Sequence, residues 1–364
     1  MSVYVGIDVH RKRSQVAVVG EDGRVQLNRN VVNGSQPMLG LLGGLPVGTP
    51  VAFEAAFGWG WLAGLLEDYG FETHLVHPLR CKAIASARLK NDKVDAAILA
   101  QLLRADLLPE AWIAPPGVRA LRALLRHRIQ LVRLRTLLGN RIHAVAADHG
   151  YDRPAGYWSG PGRAWLASLD LPPASRQVIN DDLALIDALA GPVAALDEQA
   201  HRRAKAEPGV TVLTRLPGVG EFTALVILAE TGDISRFGSA RKLAAWAGLT
   251  PTVRGSDRTV RHGRISKQGS AWLRWALGQA AQTAKRSPEF AATYQAIAAR
   301  RGKQIATTAI ARKLLTRAWH LLSDAGIAGP VASSAPRLSR EGRQAPGALA
   351  KVHEPAPRRA RVAD

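Results

Sequence analysis

Four carboxylates sit at points of the sequence where folding alone would favour apolar or neutral residues. Asp8 closes the run Val3-Tyr4-Val5-Gly6-Ile7, and Glu54 closes Val51-Ala52-Phe53. Such β-branched and aromatic runs read as strands, the first buried on both faces. Open α/β sheets bind ligands beyond the carboxyl ends of their strands, which is where both acids stand. Asp92 and Asp95 begin a segment in which Val94, Ile98, Leu99, Leu102 and Leu103 recur at helical spacing, so one helix face carries both acids in its first turns. Taken singly, each acid has a plainer use as a turn residue, a helix cap or a charge matched to a helix N-terminus. Brought together, they cannot all stay ionised without a cation. Oxygen donors with no Cys or His partner favour Mg²⁺ or Mn²⁺. Two such ions, roughly 3.5–4 Å apart, are the usual arrangement for in-line displacement at phosphorus.

A second group of reactive residue types lies at 250–269, where Arg254, Arg258, Arg261, His262, Arg264 and Lys267 crowd around Ser256 and Ser266. A loop of this composition is built to hold an anion. Ser256, in Gly255-Ser256-Asp257, also reads as an ordinary turn serine. As a nucleophile its hydroxyl needs a base or metal to take the proton, and nothing nearby in sequence offers one; the activating group has to come from another domain. Upstream, Leu216-Pro217-Gly218-Val219-Gly220 precedes the apolar Phe222, Leu225, Val226 and Leu228. This has the form of a helix-hairpin-helix, in which the turn at Gly218 and Gly220 presents backbone N–H groups to a phosphate; a glycine turn before a plain helix is the other reading.

The elements that must position these groups follow from periodicity. Strand-like runs at 3–8, 15–19, 25–31, 51–54 and 74–76 give way to helical stretches at 58–69 and 93–107, and Glu21-Asp22-Gly23 suggests a hairpin between the second and third runs. A hairpin followed by βα units is the order of ribonuclease H-like folds. Pro115-Pro116-Gly117 ends this first domain, placed at 1–114. A helical connector is expected over 115–207: Leu124, Leu131, Leu138 and Val145 recur every seven residues like a coiled-coil seam, and Arg119, Arg122, Arg126, Arg128, Arg133, Arg135 and Arg141 make the helix cationic, for solvent or for phosphates. A second helix from Ser175 is expected to pair antiparallel with it, with a loop over 149–162. A mainly helical domain follows at 208–326, in which Trp272 and Trp275 read as core. Residues 327–364, rich in Pro, Gly, Ala and Arg, read as a disordered basic tail.

The whole chain sets the partner class. Lys and Arg number 49 against 29 Asp and Glu in 364 residues, a formal charge of +20. A chain this basic is expected to meet a polyanion, nucleic acid before an anionic membrane. Neither a secretory leader nor a membrane-length apolar run is visible, which predicts a cytoplasmic protein. Cys81 is the only cysteine, so intrachain disulfides and thiolate zinc sites are excluded.

Six motifs then stand in order: Gly6-Ile7-Asp8-Val9-His10, Phe53-Glu54-Ala55, Lys90-Asn91-Asp92-Lys93-Val94-Asp95-Ala96, Leu216-Pro217-Gly218-Val219-Gly220, Ala244-Ala245-Trp246-Ala247-Gly248-Leu249-Thr250-Pro251 and Gly263-Arg264-Ile265-Ser266-Lys267-Gln268-Gly269. Together they resemble the DEDD transposases of the insertion-sequence one-ten family, which are bridge-RNA-guided recombinases. The resemblance implies an α/β plus α protein: a RuvC-like mixed sheet whose acids Asp8, Glu54, Asp92 and Asp95 bind Mg²⁺, joined by a coiled coil to a transposase domain. It also implies a serine nucleophile that works with the acidic site of another subunit in a homo-oligomer, dimer or tetramer. A non-coding RNA would pair with donor and target DNA, leaving the protein to read shape and backbone. By motif the serine falls on Ser256, with Arg254, Arg258 and Arg264 around the scissile phosphate and Lys267 nearby; the family's glycine after the serine is Asp257 here, and Ser266 is the second position. A junction-resolving nuclease that activates water and a non-catalytic nucleic-acid scaffold are the competing functions.

Overall fold

The computed structural model describes residues 2–84, 92–152, 156–256 and 259–331. The chain divides into two compact units, one ending at Ala114 and one beginning at Pro115.

In the first unit, β1 (Val3–Val9), β2 (Arg13–Gly20) and β3 (Val25–Val32) form an antiparallel meander. There follow α1 (Ser35–Leu42), β4 (Pro50–Glu54), α2 (Trp59–Asp68), β5 (Glu72–Val76), α3 (Pro78–Ile84), α4 (Asp92–Arg104) and β6 (Glu110–Ala111). The strand order is β3-β2-β1-β4-β5-β6, with β4 parallel to β1, β5 parallel to β4 and β6 antiparallel to β5. This is the mixed sheet of the RuvC-like expectation, with α1, α3 and the short β6 added to the elements read from periodicity.

Strand alternation divides the sheet into two faces. Val5, Ile7, Val16, Val18, Val51 and Phe53 pack with Met38 and Leu42 of α1 and Leu62 and Leu66 of α2. The opposite face carries Ala52 and Val76, which pack with Cys81 of α3 and Leu99 of α4. Each fully buried Leu, Ile or Phe of such a core contributes about 1.5–3 kcal/mol.

The second unit begins with α5 (Pro116–Asp148), followed by α6 (Gly160–Ser168) and α7 (Pro173–Lys205). The early residues Leu121, Leu125 and Ile129 of α5 share a core with Ala200 and Ala204 late in α7, whereas Leu138, Ile142 and Ala146 share another with Ile179 and Ile186. The two long helices are therefore antiparallel, as expected. The seam itself differs from expectation: the buried positions run at spacings of four, and Leu124 and Leu131 are only half-buried. One half of α5 joins the core around the later helices and the other half packs on α6 and α7, so no single partner imposes a seven-residue repeat. The expected loop ends early, because α6 starts at Gly160, where the Ser159 hydroxyl accepts from the Gly162 N–H at 3.2 Å.

The remaining elements are α8 (Pro208–Leu213), α9 (Glu221–Thr231), α10 (Ala240–Trp246), β7 (Pro251–Ser256), β8 (Thr259–Ile265), α11 (Ala271–Ala284), α12 (Pro288–Arg301) and α13 (Lys303–Asp324). Every residue of α9 from Ala224 to Thr231 is buried. Trp272 and Trp275 pack half-buried against this core, as read from the sequence, with the Arg133 guanidinium 4.7 Å and 5.5 Å from their ring centres. The stretch expected as a loop at 250–269 is instead largely a two-stranded antiparallel ribbon, in which Arg254 pairs with Arg261 and Ser256 with Thr259. The disordered tail expected over 327–364 does not begin at 327: Ile327 packs against the core, the Ala328 carbonyl accepts from the Ile234 N–H at 2.6 Å and the Val331 N–H donates to Glu207 at 2.8 Å. Residues from 332 onward lie outside the described residues.

Candidate active site

The first unit places the acids by strand register and one helix. Gly6 of β1 lies beside Ala52 of β4 and Ile7 beside Phe53, so Asp8 and Glu54 stand one step further along neighbouring parallel strands. Both share the sheet face of Gly6 and Ala52, the face that α4 covers. Gly6 sets the distance of that helix: a Cβ there would lie 2.1 Å from the Ala96 carbonyl oxygen and 2.6 Å from the Ala100 nitrogen. Backbone thus meets backbone, and the first turn of α4, with Asp92 and Asp95, is drawn to the strand end that carries Asp8.

His10 joins the group. Its Nε2 is 3.1 Å from Asp8 Oδ2 and 3.3 Å from Asp92 Oδ2. Burial pushes the Asp8 carboxyl above the ordinary range; His10 opposes the shift, and Asp92 and Asp95 add to it. Burial likewise raises the Cys81 thiol, with Glu54 and Asp95 adding to the effect, so those two acids act on one point beneath the sheet. Asp8 and Asp92 thus meet at His10, with Asp95 close enough to act on Asp8 and Glu54 at the end of the adjacent strand β4. Sequence reasoning assigned no role to His10, although it stands two residues beyond Asp8.

Uncharged polar residues brace the cluster. Gln15, paired with Asp8 across β1 and β2, is 2% exposed. It donates from Nε2 to Asn28 Oδ1 at 2.5 Å and accepts from Asn30 Nδ2 at 3.2 Å. Asn28 Nδ2 in turn donates to the Lys93 carbonyl at 2.9 Å, tying β3 to the first turn of α4. Ser14 donates to Asn33, and Asn33 donates to the His10 carbonyl at 2.7 Å.

The Asp8 and Asp92 carboxylates suit a hard divalent cation, while His10 adds a nitrogen donor absent from the all-oxygen set read from the sequence. Asp8, His10 and Asp92 each offer a ligand atom, all within 4.8 Å of one another, and a cation bound there would favour the charged form of Asp8 that burial, above all, disfavours.

In the second unit, Ser256 ends β7 and Arg254 lies within it; both are described by backbone alone, and Arg258 lies outside the described residues. Arg264 and Lys267 are exposed, and Ser266 is half-buried with its N–H donating to the Thr250 carbonyl at 2.9 Å. Gly218 has φ +76° and rests on α11, where a Cβ would lie 2.4 Å from the Ala280 carbonyl oxygen; Gly220 precedes α9 with open space around it. Packing thus explains Gly218 and leaves Gly220 available.

The arginines of α5 have a use beyond solvent or phosphate. Arg126 makes a bidentate pair with Glu230, which is 3% exposed, at 2.7 and 2.8 Å. Arg122 donates to the carbonyls of Ala229 and Glu230, and Arg128 and Arg141 pair with Asp197 and Asp182 of α7.

Comparison with known proteins fits this arrangement. A DEDD transposase family of the IS110 type matches residues 5–149, and the family described as Transposase IS116/IS110/IS902 matches residues 210–295. The transposase-type protein y4pF/y4sB of Sinorhizobium fredii is 30% identical over 285 residues, 76% of this chain and 73% of its own length. The chain belongs to the IS110 family of DEDD transposases. The transposase for insertion sequence element IS1111A of Coxiella burnetii is 28% identical over 331 residues, 88% of this chain and 89% of its own. The protein is a DNA transposase; DNA is its substrate, and its DEDD class goes with a divalent cation. Among the described residues, no helix is long and apolar enough to cross a membrane.

Proposed function

We propose that this transposase cuts and rejoins the DNA strands of an insertion sequence with a serine nucleophile and a four-carboxylate, Mg²⁺-dependent centre, guided by a non-coding bridge RNA. The meeting of Asp8 and Asp92 at His10, beside the end of β4 that carries Glu54, supports this reading. Asp8 and Asp92 would hold the cation, Mg²⁺ or Mn²⁺, with Glu54 and Asp95 as the further carboxylates of a site for two ions. The bound cation supplies neutralising charge at the phosphate. His10, between Asp8 and Asp92, keeps the two carboxylates oriented.

Ser256 Oγ attacks the scissile phosphorus. The Oγ–P bond forms as the bond to the leaving deoxyribose oxygen breaks; the hydroxyl proton passes to a carboxylate of the acidic centre, and the leaving oxygen takes up a proton. The reverse attack by a new strand end releases the serine and seals the exchanged strand. Arg254, Arg258 and Arg264 hold the phosphate, and Gly218, Gly220 and Lys267 hold neighbouring backbone. The protein acts as a homo-oligomer, a dimer or tetramer, in which serine and acids come from different subunits.

Ser256→Ala is expected to abolish the covalent protein–DNA adduct on a denaturing gel; an adduct at normal yield removes Ser256 from the mechanism and turns attention to Ser266. RNA that co-purifies at low salt and is then sequenced tests the guide. Its absence there counts against guidance, because phosphate contacts persist at low salt.

A further inference from the structure

Far from the acids in sequence, the second unit has a cleft of about 1400 Å³ between the base of the β7–β8 ribbon and helices α12 and α13. Arg264, Lys267, Arg300, Arg301, Arg312 and Lys313 line it. Among the described residues, its single lining carboxylate is Glu289, which is already neutralised by Arg317 at 2.7 Å. Thr308, Arg312 and Thr316 recur at helical spacing on the face of α13 turned to the cleft, so hydroxyls alternate with cations along its floor.

A second observation concerns how one cation is held. Lys267 has φ +55°, a region that non-glycine residues rarely occupy. Its N–H donates to the Gly248 carbonyl at 3.2 Å, and Arg274 clamps the following carbonyls of Gln268 and Gly269 at 2.6 and 3.1 Å. Gly248 and Gly269, both at positive φ, admit no side chain: a Cβ would lie 2.2 Å from the Gln268 carbonyl oxygen and 2.1 Å from the Trp246 carbonyl oxygen. The surroundings thus fix the strained lysine at the cleft edge, as happens where a side chain must be aimed.

We infer that this cleft binds the sugar–phosphate backbone of duplex DNA, holding the substrate by charge and shape without reading its bases. Sites for single strands combine cations with aromatic rings on which bases stack. Here Phe290, the aromatic lining residue, is 3% exposed and belongs to the core. The inference rests on DNA being the substrate and uses nothing of the carboxylate chemistry.

The test measures anisotropy of a labelled duplex of about 30 base pairs with the full-length protein in EDTA, across a salt series. Binding is then read without cleavage, because EDTA withholds the divalent cation. The pairs R300A/R301A and R312A/K313A are each expected to weaken binding and to lower the slope of log K against log salt by up to about 1.8, two phosphates' worth. The charge-keeping R312K/K313R should retain the slope, and R202A/K205A, which removes two exposed cations of α7, should leave it near the wild-type value. Unchanged slopes in both cleft pairs at unchanged melting temperature would overturn the inference. So would an equal loss from the α7 pair, or a loss confined to single-stranded DNA or RNA. None of these outcomes bears on whether Ser256 forms an adduct.

Discussion

Asp8 is the residue at which folding and chemistry are most opposed. Burial and the nearby Asp92 and Asp95 hold its carboxyl above the ordinary range, against the pull of His10. An acid that binds its proton more tightly in the folded state destabilises that state as pH rises from about 4 through the folded pKa. In chelator, Asp8→Asn should therefore match the wild type below that window and melt higher than it at pH 7, while losing DNA cleavage. Thermal denaturation across pH checks this, and added Mg²⁺ or Mn²⁺ should raise the melting temperature of the wild type but not of the variant. Glu230 poses a different problem: it is buried and receives Arg126 and the Ser270 hydroxyl, the latter at 2.7 Å. Glu230→Ala leaves those donors unanswered, and a loss of about 3 kcal/mol is expected in denaturant unfolding, toward the lower end for a broken buried pair because Arg126 is partly solvated.

At the scale of elements, the contact between α4 and β1 decides whether the acids meet. Gly6→Ala forces a methyl group into the Ala96 carbonyl, and because backbone must move, a loss of about 3 kcal/mol together with weakened divalent-cation binding is expected; calorimetric titration with Mn²⁺ alongside melting separates the two. Asn28→Ala, which releases the first turn of α4 from β3, should cost about 1 kcal/mol and weaken cation binding in the same titration. Much of this arrangement was legible in the sequence, because β1, β4 and α4 each announce themselves by apolar spacing and each carries its acid at an end. The contribution of His10 was not, since it depends on where the chain turns after β1. The β7–β8 ribbon was hidden because it buries little: Val253 and Val260 are 59% and 65% exposed, which leaves no alternation to read. Helix α6 was hidden by its Gly160-Pro161-Gly162 start; Gly162 packs where a Cβ would lie 1.8 Å from the Gly156 carbonyl oxygen, a requirement that only the folded chain reveals. The arginines of α5 were ambiguous because their carboxylate partners lie 41 to 104 positions away, on α7 and α9.

For the whole molecule, two compact units separate the residues proposed to act together: the acids lie before Ala114 and the serine after Pro115. Under the proposed assembly, mixing Ser256→Ala with Asp8→Asn protein should restore strand exchange that neither variant supports alone. A mixture as inactive as its parts would place both groups in one subunit. The chain carries an excess of positive charge, +20 overall, although Arg126, Arg128 and Arg141 are among the arginines already paired with acids of the same unit. One more consequence follows from the unequal exposure of the acidic cluster, where the Asp8 side chain is 13% exposed but His10 and Asp92 are 50% and 55% exposed. A cation held there faces bulk water on one flank, so its exchange should be rapid: a chelator ought to strip it within the mixing time of a stopped-flow instrument, and refilling should require no opening of the protein.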